Sequence, residues 1–101
     1  MKSLLFLLAL NTVTSADAEQ IRAVIHSEIG ALRLCERTVH QPASVSFLGM
    51  VVMGGDVVQP VQVTEGGGAV WVAYYAMQRQ GDGTWRTSGC RLVQPGRTIS
   101  A

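Results

Sequence analysis

Apolar residues recur along this chain in three rhythms, and each predicts a different kind of element. Leu4 to Leu10 is an unbroken apolar run. From residue 19 onward the apolar positions are Ile21, Val24, Ile25, Ile29, Leu32 and Cys35, the i, i+3, i+4, i+8 spacing of one helical stripe. Arg22, His26, Arg33 and Arg37 lie on the opposite side. One amphipathic helix is therefore predicted over residues 19–37. Asp17, with Gln20 three residues later, resembles a capping box at its start. Gly30 falls inside this span at a cost of about 1 kcal/mol relative to Ala. Thr38 to Ala43 reads as a linker, with Pro42 ending any helical continuation.

Beyond the linker the pattern turns β-rich. Four strands are predicted, over residues 44–53, 56–65, 69–80 and 84–94, and Pro95-Gly96 ends the last. Gly54-Gly55, Gly66-Gly67-Gly68 and Gly81-Asp82-Gly83 supply the turns, the last being the strongest hairpin signal. Pro60 interrupts the second strand and cannot donate to a ladder, so it predicts an edge or a bulge there. Short turns between consecutive strands imply an antiparallel meander. The fold class is α+β: one N-terminal helix packed on a four-stranded antiparallel sheet. On the third strand Val70, Val72, Tyr74 and Ala76 share one face, and Trp71, Ala73, Tyr75 and Met77 the other. Both faces are largely apolar, but one helix covers only one of them. The uncovered face must meet a partner, fold over on itself or expose apolar surface. This favours a homodimer through the sheet face, one that a charge at Trp71 or Tyr75 would abolish.

The first rhythm has a different meaning. Lys2, the apolar run and Ala16-Asp17-Ala18 follow the order of a secretory leader with a small-x-small cleavage site. The run is far short of the ~20 residues that span a bilayer. Residues 1–18 are thus expected to be a signal peptide, cut after Ala16 or Ala18, and residues 19–101 one small domain. Export to the periplasm or the medium follows, with no membrane attachment after cleavage. A chain starting at residue 19 carries seven Arg, six acids and no Lys. That balance gives no electrostatic case for nucleic acid. In an oxidising compartment Cys35 and Cys90, the only cysteines, can pair, adding roughly 2–4 kcal/mol to a small core. The alternative is two separate buried thiols.

Several segments together resemble a known family. The hairpin Gln78-Arg79-Gln80-Gly81-Asp82-Gly83-Thr84-Trp85-Arg86-Thr87-Ser88-Gly89-Cys90 is the most specific. Gln20 to Ile25, His40 to Gly49 and Val57 to Val61 agree with it. The chain is similar to the bacterial domain-of-unknown-function family 4864. That resemblance implies the cone-shaped α+β fold of nuclear transport factor two-like proteins, here with the second helical region shortened to about Leu34 to Gln41.

Candidate chemistry is sparse. Enzymes with the cone fold place an acid, His or Tyr inside the cone as a general acid or base. Asp56, Glu65 and Asp82 all sit at turns, where acids are common on solvent grounds. Glu28 falls within the apolar stripe, between Val24 and Cys35. It is either a stripe-edge residue reaching solvent or an Arg, or a polar group aimed into a cavity and paired with Arg91 or a Tyr hydroxyl. Glu28, Tyr74, Tyr75 and Arg91 are therefore the candidate ligand-binding residues, and Glu28 the one catalytic candidate. His26 reads as an exposed helix residue and His40 as a turn residue. Two Cys and two His so far apart make no zinc pattern, and no cofactor is expected. The expected role is an exported non-catalytic module binding an unidentified small molecule or protein. The alternatives are a small isomerase- or hydrolase-like enzyme using Glu28 with a Tyr, and a truncated relative without activity.

Overall fold

The computed structural model describes residues 13–53 and 56–95. The run at Leu4 to Leu10, the turn at Gly54-Gly55 and the tail from Gly96 lie outside the described residues.

Thr14 opens the helix. Its backbone is extended (φ −83°, ψ 170°), and its hydroxyl accepts the Asp17 N–H at 3.0 Å. The Thr14 N–H in turn donates to Asp17 Oδ2 at 3.0 Å. This reciprocal box satisfies two backbone donors at once and starts α1 at Ser15–Gly30. The predicted span of 19–37 is corrected at both ends. Asp17 is the third helical residue and not the cap, because Thr14 lies at the right spacing to pair with it. Gly30, a weak helix former, ends the helix, and Leu32 takes a left-handed conformation (φ 63°). Residues 31–38 then form a small hairpin, β1 (Arg33–Leu34) with β2 (Arg37–Thr38). Leu34 and Val39 become fully buried while Leu32 is left 46% exposed. Burial of those two side chains outweighs the continuation of the stripe, so Leu32 and Cys35 leave the helical face.

The sheet follows the predicted meander with one strand divided. β3 (Pro42–Phe47), β5 (Asp56–Glu65), β6 (Val70–Arg79) and β7 (Trp85–Val93) lie in that order, all antiparallel. β4 (Val51–Met53) pairs with β5 beyond the end of β3. The strand expected over 44–53 is thus two strands sharing one neighbour, and the cause is Pro60. Its carbonyl accepts the Leu48 N–H at 3.0 Å, so its missing N–H faces the same neighbour. The ladder fails there, and the chain leaves β5 at residues 48–50. The buried Gln59 side chain fills the gap, its Nε2 donating to the carbonyls of Leu48 (2.7 Å) and Pro60 (2.8 Å). The strand carrying Pro60 is interior, and the irregularity falls on its partner.

The core lies on one face. Val57, Val61 and Val63 of β5 and Ala73, Tyr75 and Met77 of β6 pack against Ile21, Ile25 and Ile29. The β1–β2 hairpin, joined to β7 by a Cys35–Cys90 disulfide, closes the same side. The opposite face carries Val58, Pro60, Val72, Tyr74 and Ala76, flanked by Val51 and Val93. On that face Pro60 and Val72 are buried, while Val51, Tyr74 and Val93 are exposed. Tyr75 and Trp71 therefore lie on the covered face, and the residue at the centre of the uncovered one is Tyr74.

Candidate functional site

Three places on the molecule carry polar chemistry or accessible apolar surface. The first is the inner face between α1 and β7. Alternation aims Tyr75 inward, fully buried. Its register partner on β7 is Cys90, which forms a disulfide with Cys35 of the hairpin across a Cα–Cα distance of 5.4 Å. The Cys35 N–H donates to the Tyr75 hydroxyl at 3.4 Å. Burial pushes that phenol above its ordinary value of 10.0, and the nearby Glu28 charge adds to the effect. Glu28 is half-buried, and its Oε2 accepts from the Thr87 hydroxyl at 3.0 Å. The inner face thus brings Glu28, Tyr75 and the disulfide into one neighbourhood. Tyr74 and Arg91 are register partners on the outer face, both exposed. The structure does not gather the four candidates into one site, because a sheet separates them into two pairs.

The second place is the junction of the helix start with the β6–β7 hairpin. Asp17 is buried, at 8% exposure. Its Oδ2 accepts from Arg79 Nη2 at 2.8 Å and its Oδ1 from Trp85 Nε1 at 3.2 Å. The Arg79 guanidinium also stands 5.0 Å from the Trp85 ring centroid. The Thr14 N–H, the Trp85 indole and the Arg79 charge hold the Asp17 carboxyl below its ordinary 3.8, against burial. Sequence reasoning assigned Asp17 to a cap and to the middle of the cleavage triplet. The available signal was its position four residues before Ile21, on the line of Ile21, Ile25 and Ile29. Glu65 makes a related clamp at the other end of the sheet. It accepts from the His40 N–H (2.8 Å) and from Trp71 Nε1 (3.1 Å), and both lower its pKa from 4.5. Arg37 lies 4.3 Å over the Trp71 ring. Asp82 accepts from the backbone and hydroxyl of Thr84 in the hairpin turn.

The third place is accessible apolar surface. An open cleft of about 470 Å³ lies between the helix start and the β3–β4 break. Val13, Thr14 and Ser15 form one wall, Phe47 and Gln59 line it from the sheet, and Arg22 is the titratable side chain on it. His26 is exposed, with its ring 5.0 Å from that of Phe47. On the outer face Val51 (47%), Tyr74 (41%) and Val93 (37%) stand exposed. Among the described residues no cluster of three His, Cys, Asp or Glu side chains is arranged to hold a metal, and no helix is long and apolar enough to cross a membrane.

A family model described as a domain of unknown function, DUF4864, matches residues 36–99, which takes in both the hairpin strand β2 and the whole sheet. No curated protein and no solved structure matches the chain.

Proposed function

The chain belongs to the DUF4864 family of domains of unknown function, and from that premise we propose that it is an exported, non-catalytic interaction domain that pairs with a second copy through its outer sheet face. One observation carries this reading. The outer face presents Val51, Tyr74 and Val93 to solvent around the buried Pro60 and Val72, while the helix and the disulfide hairpin lie on the other side. Sheets pack face to face when such surfaces meet, with strands crossing at about 30°. An isologous pairing needs only a self-complementary patch. The leader pattern and the Cys35–Cys90 disulfide support export, since disulfides persist in oxidising compartments. Native mass spectrometry of the exported protein tests the pairing. A dimer that Tyr74→Glu converts to monomer is the expected result. A wild-type monomer at every concentration reachable would sink it.

The cleft favours a second reading, binding of a small molecule. Phe47, Leu48, Met50 and Gln59 remain on it after the leader is cut, and Arg22 supplies its charge, which suits a small anion. A non-covalent adduct retained in the same spectra, and lost in Arg22→Ala, would support it.

A further inference from the structure

The contacts of Asp17 bear on where the leader is removed. Two small-x-small triplets overlap there: Thr14-Ser15-Ala16 and Ala16-Asp17-Ala18. Motif alone favours the second, since Ala stands at both outer positions. The fold distinguishes them by the fate of one carboxylate. Asp17 is bonded to Arg79 and Trp85, which lie 62 and 68 residues away in the sequence. A cut after Ala18 removes this acid. It leaves the Trp85 indole N–H and the Arg79 guanidinium without the carboxylate that joins the helix start to the hairpin. A cut after Ala16 keeps the carboxylate and both long-range bonds. It gives up the local box with Thr14, the Ala18 N–H bond to the Thr14 carbonyl at 2.9 Å and the packing of Val13 against the core.

We propose that the leader is cut between Ala16 and Asp17, so that the exported chain begins at Asp17. The inference rests on the export reading. A leader peptidase of the export machinery adds water across the Ala16–Asp17 peptide bond. The Ala16 carbonyl carbon takes the hydroxyl and becomes a carboxylate. Both protons of the water end on the Asp17 nitrogen, one directly and one released by the new carboxyl, and make it an ammonium group. The ammonium stands at the helix start, where a positive charge is unfavourable, and the Asp17 carboxylate on the same residue offsets it. Val13, Thr14 and Ser15, one wall of the cleft, depart with the leader. Processing therefore leaves the helix joined to the hairpin while it opens the cleft.

The test is the intact mass and N-terminal sequence of the protein, expressed with its own leader in a Gram-negative host and purified from the periplasm. Asp17 as the first residue is the expected result. Glu19 as the first residue overturns the proposal while leaving export standing. A chain that is never cut and never leaves the cytoplasm overturns the export reading, and this inference with it. Ala18→Leu separates the two sites further. It places a bulky residue at the last position of the rejected triplet and outside the proposed one. The variant should be cut at the same bond as the wild type, and accumulation of its uncut precursor would count against the proposal.

Discussion

Asp17 shows how much a single side chain can join. It belongs to the helix by position, to the sheet by hydrogen bonds and to the hairpin through Arg79. Its carboxyl is held below 3.8 by the Thr14 N–H in the uncut chain and by the Trp85 indole and the Arg79 charge, and the last two remain when the chain begins at Asp17. The sign of the linkage follows from that direction. A depressed folded value contributes stability that is present above the ordinary carboxyl range and is lost as pH falls through the folded value. Asp17→Asn should therefore lower stability at pH 7 by about 1–3 kcal/mol, and its urea midpoint should fall less than that of the wild type between pH 5 and pH 2. A residual acid dependence should remain, because Glu65 is lowered in the same direction by the His40 N–H and Trp71. Equal acid sensitivity in the two proteins would remove Asp17 from this account. Glu28 differs. Its carboxylate accepts from the Thr87 hydroxyl, a bond that an amide oxygen accepts equally well. Glu28→Gln should shift stability by less than about 1 kcal/mol, so a lost ligand signal in that variant would report the site and not unfolding. The contrast was only half legible in the sequence. Position on the apolar stripe flagged Glu28, while Asp17 read as a cap and a cleavage-site residue, and only the fold brings Arg79 and Trp85 to it.

At the scale of elements, two short irregularities do most to shape the molecule. The hairpin after α1 is fixed to β7 by the Cys35–Cys90 disulfide, which closes a separation of 55 residues. The chain-entropy relation gives about 4 kcal/mol for a loop of that length. The double variant Cys35→Ser with Cys90→Ser should lose stability on that order in urea titrations, and reductant should bring the wild type to the same midpoint. Unchanged midpoints would mean that the hairpin packs without its tether. The second irregularity is the β3–β4 break at Pro60. Gln59→Leu removes the donor to the Leu48 and Pro60 carbonyls, and should cost about 1–3 kcal/mol, read from the same titrations. Here the sequence was legible in kind but not in place. Alternation and glycine turns located the long strands and the hairpin within a residue or two. Pro60 announced a fault in the sheet, yet which neighbour absorbs it depends on the side to which its absent N–H points. The helix ran too far in prediction because Leu32 and Cys35 keep the stripe's spacing, while burial of Leu34 and Val39 decides the turn.

The whole molecule is a sheet with one covered face, and this asymmetry leads to the last prediction. Alternation along β6 shows that both faces are apolar but contains nothing about which one the helix will choose. That choice follows from matching Ile21, Ile25 and Ile29 to Val57, Val61, Ala73 and Met77, and it leaves Tyr74, not Tyr75, in solvent. If two copies pair through Tyr74, folding and association are linked, and the native state is favoured by mass action. The thermal midpoint of the wild type should then rise with protein concentration. Tyr74→Glu sits at an exposed position, so the isolated subunit should keep its stability within about 0.5 kcal/mol. A like charge placed near the centre of each paired face should nevertheless abolish the concentration dependence. Calorimetry of both proteins over a hundredfold range of concentration checks this. Parallel, concentration-independent midpoints would show that the outer face works unpaired, and would turn attention to the cleft beside Arg22.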